Sequence, residues 1–498
     1  MDVWNSRALD VHKWSEHSEV NLFIDELWNK FTGSYPEHVA TKRGKQPKTK
    51  LKNQFKVLLL DLFVCWSEDE AQCIGVSRNV NEYLSVESRY NKLHISKLMI
   101  KFTDQLTALG WIDFVNGSYN HEDPTKNRTS RIKPAQPLIA KFNEATFGID
   151  AVQTTPDREC IILKLKTVEV NEVGEESSVN GEIEYEDTAE TKKMRSQLMA
   201  YNDLLQCTHV DIRDLDKPLI ERRVLTKHGP RDYKVKTTQA NKFVRRIFSE
   251  ASWESHGRFY GGFWQQVDEE TRSKIFIDHH ETVEVDFKAL HINLLYACFV
   301  GEPLVEGQDP YLLKSFRFSN EDIDTQRKRI KRLVLQAINA KSRESAFRAF
   351  RNELKKGDPD KRLTDIELND LLNTFINFHP KLEPYMCKGL ANDLMYIDGK
   401  ITAGIINRLT AQSIPVLTIH DSYIVKVHDY EALRIAMYQS ALEIIGSDLY
   451  AVQELMPVFP NAPHSYSLEQ YLFEISHYRI SEGYEKRLKQ WKVHSAKS

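Results

Sequence analysis

The sequence predicts a multidomain α+β protein, on three observations. The chain has 498 residues, enough for about three domains at roughly 150 residues each. Its first third reads as helices followed by a hairpin, and its C-terminal half holds β-runs ending in aspartate, interleaved with helical apolar spacing. Expected boundaries are 1–50, a segment with a basic arm; 51–146, a helix-and-hairpin domain; 147–221, a linker or thumb-like region with an acidic loop; and 222–498, a motif-dense unit.

In chain order, residues 41–56 (TKRGKQPKTKLKNQFK) carry seven Lys/Arg and no acid, which reads as a solvated arm. FKVLLLDLFVCW is an apolar helix interrupted by Asp61. In RYNKLHISKLMIKFTDQLTALGWI the apolar positions Leu93, Ile95, Leu98, Met99, Phe102, Leu106 and Leu109 recur at helical spacing, so this stretch predicts a recognition-type helix stopped by Gly110. GWIDFVNGSYN predicts a hairpin turning at Asn116-Gly117, with NRTSRIKP returning as a basic strand. Helices followed by a basic hairpin make either a winged helix-turn-helix or a small helical bundle with one hairpin. The former would present Arg89, Lys92, His94 and Lys97 to a DNA groove and carry Arg128 and Arg131 on its wing. Thr167 to Glu190, with nine acids and no base, reads as a surface loop, and a helix is expected near Lys192 to Cys207.

Composition excludes several classes. No run approaches the roughly 18 apolar residues that cross a bilayer, and MDVWNSRALD has no secretory pattern, so a cytoplasmic protein is expected. Six scattered cysteines without a CxxC pair argue against a disulfide framework or a structural zinc site. The net charge of −3 carries no information about nucleic acid; only its segregation along the chain does.

Two segments carry candidate chemistry. In TVEVDFKALHINLLYACFVGE, Asp286 stands where a β-run meets a helix. In IPVLTIHDSYIVKV, 135 residues further on, His420-Asp421-Ser422 joins two β-runs and puts a carboxylate at the turn. Two aspartates on adjacent strand ends can hold two divalent cations about 3.5–4 Å apart. Between them, RKRIKRLVLQAINA places Arg327 and Lys331 one turn apart on one helix face, with Arg332 beside them and Leu335 and Ile338 as an apolar face. That is either a basic surface helix or one whose cations hold a triphosphate.

In this order the residues resemble the palm and fingers shared by family A DNA polymerases and phage-type single-subunit RNA polymerases. Asp286 in DFKALHINLLYA is similar to motif A, EGQDPYLL (Glu306 to Leu313) to the segment after it, Arg327-x3-Lys331 with Asn339-Ala340 to motif B, and IHDSYIV to motif C. Arg258 in HGRFYGG and Asp398-Gly399 resemble two further elements of that set, and the resemblance spans about 222–450. His291 stands at the family A steric-gate glutamate, and Asn339-Ala340 replaces Tyr-Gly. Spacings of 45 residues from Asp286 to Lys331 and 90 from Lys331 to Asp421 imply reduced fingers.

The resemblance implies a right-hand polymerase fold over 222–498, palm and fingers, in which Asp286 and Asp421, helped by the main-chain carbonyl of Phe287, hold two magnesium ions. It implies that Lys331 and Arg327 contact the triphosphate, that His420 positions the primer-terminal phosphate, that Arg258 reads backbone or minor groove, and that His291, Asn339 and Arg332 line the nucleotide pocket. The expected activity is that of a template-directed DNA polymerase of a mobile element or phage, including one that starts or extends short primers; its partners are a DNA template and primer and nucleoside triphosphates. A small RNA polymerase or primase keeps the fold and changes the sugar, and a non-catalytic DNA-binding replication or defence factor is the reading from another class. No DxE pattern of a proofreading exonuclease is visible upstream.

Overall fold

The computed structural model describes residues 2–38, 49–83, 87–122, 126–170, 176–226, 229–304, 309–313, 322–447, 449, 451–454, 467–476 and 479–495. The arm at 41–48 and Glu306 to Gln308 lie outside these residues.

The N-terminal domain contains β1 (Ser6–Ala8), α1 (Ser18–Ser34), α2 (Thr49–Glu68), β2 (Cys73–Val76), α3 (Leu98–Ala108), β3 (Ile112–Val115), β4 (Ser130–Pro134) and α4 (Gln136–Asn143). Its sheet has the order β1-β2-β4-β3, with β1 parallel to β2 and the other pairs antiparallel. α2 is buried almost all round from Phe55 to Cys65, so it is the central element, packed by Val20, Ile24, Leu27 and Phe31 of α1 and by Met99, Phe102 and Leu106 of α3. Asp61 is the polar exception in that helix. Fully buried, it accepts from Arg7 Nη1 at 2.8 Å and Nη2 at 2.6 Å and from the Asp10 amide at 2.9 Å, which ties the first strand to the core. Asp61→Ala would leave the guanidinium and the amide without their acceptor, and a loss of about 3 kcal/mol is expected in urea unfolding. A loss below about 1 kcal/mol would show that water replaces the carboxylate.

Four expectations for the first 190 residues are corrected. The second half of the basic run is not a solvated arm: residues 49–56 open α2, and Lys56 is buried, donating to Ser15 O at 2.5 Å and Asn21 Oδ1 at 2.7 Å with its ammonium over the Trp14 ring. The recognition-type helix starts only at Leu98, because the Asn91 side chain closes a tight turn on the amide and carbonyl of Ile95 and His94 takes a left-handed φ of 55°. The chain does not reverse at Asn116-Gly117, since Ser118 and Arg128 still exchange two 3.0 Å bonds beyond it. The acidic stretch is in part strand rather than loop. β5 (Ile161–Val170) and β6 (Glu176–Glu182) pair antiparallel from Lys164↔Glu182 to Val170↔Glu176.

The chain continues through α5 (Ala189–Gln206), β7 (Val210–Ile212), β8 (Leu219–Thr226), β9 (Gly229–Lys236), β10 (Arg245–Phe248), β11 (His256–Tyr260), β12 (Ile275–Ile277), β13 (His280–Phe287) and α6 (Leu290–Leu294), which widens into a π-helical turn over Leu295–Val300. Then come α7 (Ile323–Asn339), α8 (Arg343–Glu353), α9 (Asp365–Phe378), α10 (Ala391–Thr410), β14 (Leu417–Ile419), β15 (Ser422–Lys426), α11 (Tyr430–Ile445), β16 (Ala451–Glu454), α12 (Leu468–Ser476) and α13 (Glu482–Ser495). One sheet runs β11-β10-β5-β6, and a six-stranded sheet runs β14-β15-β13-β12-β7 with β16 also on β13. The segment expected as a linker supplies β5 to the first sheet and β7 to the second, and its Cys160, Ile161, Leu198 and Tyr201 share one core with α7, α9, α10 and α11. β13 is the central strand: Val283, Val285 and Phe287 are buried in that core, while Thr282, Glu284 and Asp286 alternate to the opposite face.

Candidate functional site

The site forms at one end of the six-stranded sheet. In β13 and β15, Asp286 lies opposite Ser422 in register, and the Phe287 amide donates to Asp421 O at 3.1 Å. Register alone therefore brings the two aspartates, distant in sequence, to neighbouring positions. Asp421 occupies the two-residue turn between β14 and β15, and His420 before it is held at a left-handed φ of 57°. Such a backbone state costs of order 1–3 kcal/mol and persists where surrounding structure enforces it. Ala289, at φ 50°, makes the corresponding bend from β13 into α6. Both carboxylates are half-buried.

Ser422, the third residue of the HDS triplet, turns its hydroxyl onto Glu284, which Arg272 grips with Nε at 2.9 Å and Nη2 at 3.0 Å. Glu284 lies two residues before Asp286 and so on the same strand face. That period of two was the available signal for it.

Arg258 is the hub of the second group. Its Nε donates to Asp398 Oδ2 at 2.6 Å and its Nη2 to His291 Nε2 at 3.1 Å. Asp398 is on α10 and 1% exposed; burial pushes its carboxyl up to about 6, opposed by Arg258 and reinforced by Asp421. For His291 burial is the leading cause, joined by Arg258, and the ring is pushed down to about 4, so it is neutral and accepts the Arg258 proton at Nε2. Arg258, expected to read a nucleic-acid backbone or minor groove, is half-buried, with two of its nitrogens serving Asp398 and His291. α10 and β11 approach closely because position 399 is glycine, where a Cβ would stand 2.2 Å from Gly257 O. His420 is half-buried, its ring edge-on to Tyr260 at 5.3 Å, and Tyr260 stacks on His256 with a 2.9 Å hydrogen bond between hydroxyl and Nε2. Burial, then Arg258, lowers the His420 pKa against the pull of Asp421.

The third group is α7. Its N-cap Asp322 accepts from the amides of Asp324 and Thr325, and its buried face is Ile330, Leu333, Val334, Ala337 and Ile338. Arg327 and Lys331 stand one turn apart at the edge of that face and Asn339 about two turns further on, with Lys331 and Asn339 exposed. Arg327 Nε donates to Asp309 Oδ2 at 2.6 Å, and Asp309 lies two residues from Tyr311, which the charges of both Arg327 and Asp421 reach. Arg332 is a correction: it points to Asp360 at 4.0 Å, away from the Arg327–Lys331 line, alongside buried Arg329. A histidine that sequence reasoning did not single out fixes this region. His379 Nε2 donates to Pro310 O at 3.0 Å while its Nδ1 takes the Tyr296 hydroxyl proton at 2.9 Å.

The donors at the sheet end suit a hard divalent cation. The Asp421 carboxylate makes no ion pair or hydrogen bond among the described residues, and no cluster of three or more His, Cys, Asp or Glu able to hold a metal occurs among them. A metal here would take two carboxylates and fill its remaining positions with water or substrate oxygens, the preference of magnesium.

In the N-terminal domain, Lys92 and Lys97 are exposed, Lys97 as the N-cap of α3. Arg89 is not groove-facing: it pairs with Glu159 at 3.3 Å and Asp187 at 3.1 Å and lies over the Tyr185 ring, clamping the domain to the β5–β6 region. Arg131 on β4 is likewise committed, to Val3 O at 3.2 Å and to Thr129, whereas Arg128 bonds Ser118 Oγ at 2.6 Å beside Trp4.

No helix among the described residues is long and apolar enough to cross a membrane. No protein-family profile and no curated protein matches the chain. Among solved structures it is similar to the POL domain of Pol1 from M. smegmatis, in complex with DNA primer-template and dNTP, at 7% identity and a TM-score of 0.28. That likeness covers 90% of this chain and 66% of the other, so the chain spans just under two thirds of it. At such a TM-score the likeness says nothing about how this chain is folded or what it does.

Proposed function

We propose that the chain is a template-directed nucleotidyltransferase, a compact DNA polymerase resembling family A, with Asp286 and Asp421 as its metal-binding carboxylates. The observation that carries the reading is the register of β13 on β15, which sets the two aspartates side by side at a sheet end with the Arg258 and α7 groups around them. Asp286 and Asp421, with the Phe287 carbonyl, would hold two magnesium ions. When bound, these lower the pKa of an attacking hydroxyl and neutralise the charge of the leaving pyrophosphate. Exposed Lys331 would contact the triphosphate together with Arg327, one turn before it and held by Asp309 at 2.6 Å. Neutral His420 would hydrogen-bond the primer-terminal phosphate. His291, fixed by Arg258, would fill the space a 2′-hydroxyl needs, which favours deoxynucleotides. The N-terminal domain would meet duplex DNA through Lys92, Lys97 and Arg128.

A ribonucleotide-using polymerase or primase is the second reading. Ser422 favours it, since the resemblance gives HDS to the RNA polymerases, and here its hydroxyl is turned onto Glu284.

The test is incorporation of labelled dNTPs and NTPs on primed and unprimed templates with magnesium. Incorporation of neither sugar would refute the reading, and NTP preference would promote the second. Within that assay, Lys331→Ala and Arg327→Ala are expected to raise the nucleotide KM or lower kcat about tenfold or more. Unchanged nucleotide kinetics with weakened DNA binding would make α7 a backbone-contacting helix instead.

A further inference from the structure

Residues 323–362 carry thirteen Lys/Arg against five Asp/Glu, in a chain whose total charge is −3. Five arginines of this stretch serve the fold. Arg327 pairs with Asp309, Arg329 and Arg332 with Asp360, Arg351 with Asp365, and Arg343 bonds Asn369 and Asn373. The other eight are all exposed, among them Lys341 and Lys361, the latter bonded to Leu354 O at 3.2 Å. Lys328, Lys331, Arg348, Lys355, Lys356 and Arg362 are exposed and make no ion pair among the described residues.

The buried partners bring these cations together. Asp360 lies in the 3-10 turn Pro359–Arg362, and its bonds of 2.6 Å and 2.9 Å to Arg329 pin the 355–362 loop against α7. Arg351 holds the far side of the same loop through Leu363 O at 2.9 Å. The loop cations Lys355, Lys356 and Arg362 are therefore carried on the Arg329–Arg332 side of α7, next to Lys328, with Arg348 on the packed neighbour α8 and Lys331 on the other side of the helix. Of the acids in the stretch, Asp360 is paired with arginines, Asp358 accepts from the Asp360 amide at 3.0 Å, and Glu353, which accepts from Gln336 Nε2 at 2.7 Å, is exposed along with Asp324 and Glu344.

We propose that this face binds a single nucleic-acid strand through its phosphates, independently of sequence. The chemistry excludes base recognition by stacking: the aromatic residues of the stretch, Phe347 and Phe350, are both buried, so no ring is available to a base. Long cationic side chains on two helices and a loop follow a flexible strand more readily than the fixed phosphate spacing of a duplex. The inference rests on the nucleotidyltransferase reading for the reason a strand lies there, and on charge alone for the binding.

The test uses the full chain in a chelator, so that catalysis plays no part, with fluorescence anisotropy of a labelled homopolymeric strand titrated with salt. Arg348→Ala, Lys355→Ala, Lys356→Ala and Arg362→Ala combined should weaken binding at least tenfold at low salt. They should also flatten the log affinity against log salt slope by about 2 to 3, at about 0.7 per phosphate contact. The corresponding four arginine or lysine exchanges (Arg348→Lys, Lys355→Arg, Lys356→Arg, Arg362→Lys) should bind as the parent does. As a charge control, Lys192→Ala, Lys193→Ala, Lys486→Ala and Lys489→Ala remove four exposed cations elsewhere. An unchanged slope in the first variant, an equal loss in the control, or equal affinity and equal loss on a duplex of the same length would each overturn the proposal. Asp286→Asn protein is expected to bind as the parent does, so a failed incorporation assay leaves this result standing.

Discussion

Asp286→Asn and Asp421→Asn are each expected to abolish nucleotide incorporation, by at least about a thousandfold, or about 4 kcal/mol of barrier. Backbone register makes the two residues neighbours, Asp286 opposite Ser422 and Asp421 bonded through its carbonyl to the Phe287 amide, and no third acid of the described residues completes a metal cluster with them. Losing one charge therefore removes half of the protein's anionic donors, and magnesium, which demands hard oxygen ligands, has no nearby substitute. Folding should survive, because both residues lie at strand ends and are half-buried, and the register bond from the Phe287 amide to Asp421 O is made by main chain. The measurement is single-turnover incorporation beside a thermal melt. Activity within about tenfold of the parent in either variant would end the metal-site assignment.

The second large effect is expected far from any reacting atom. In Gly399→Ala the new methyl would stand 2.2 Å from Gly257 O and 2.8 Å from Gly257 C, both backbone atoms that no side-chain rotation can move. α10 and β11 must then separate, at a cost of about 1–3 kcal/mol. Separation also pulls Asp398 from Arg258 and Arg258 from His291, so activity should fall by more than the stability loss explains at a temperature where the variant is still folded. Urea unfolding and incorporation kinetics on the same preparation separate the two. A variant as stable and active as the parent would show that the crossing is looser than described.

Some of this was legible in the residues and some was not. The alternation VEVDF and the two β-runs around His420-Asp421 are local patterns, so the strands holding both aspartates could be read directly. GRFYGG and Asp398-Gly399 could be singled out, but the ion pair between Arg258 and Asp398 joins residues 140 apart, a separation that no local pattern encodes. Arg89 failed for the same reason: its counterions Glu159 and Asp187 come from a segment read as linker and loop. The acidic stretch misled because its charges were weighed above its pairing, although β5 begins as IILKLK. Arg332 was placed by composition rather than phase, since one residue beyond Lys331 is about 100° around the helix.

The order of strands in the six-stranded sheet has a consequence for synthesis of the chain. β13 is flanked by β15 on one side and by β12 and β16 on the other, so the strand carrying Asp286 acquires its last neighbour only when Ala451–Glu454 has emerged. At about 5–20 residues per second, the ribosome takes about 20–90 s to reach that point. The N-terminal domain, whose core takes in Phe147, Ala151 and Val152 and whose Lys13–Trp14 pairs with Gln153–Thr154, is complete by residue 154 and can be folded long before. Meanwhile β13, with its apolar face of Val283, Val285 and Phe287, waits with open edges, a state prone to pairing with other chains. Heterologous expression at lowered temperature or with a holdase chaperone should therefore raise the soluble yield of the full chain far more than that of residues 1–155.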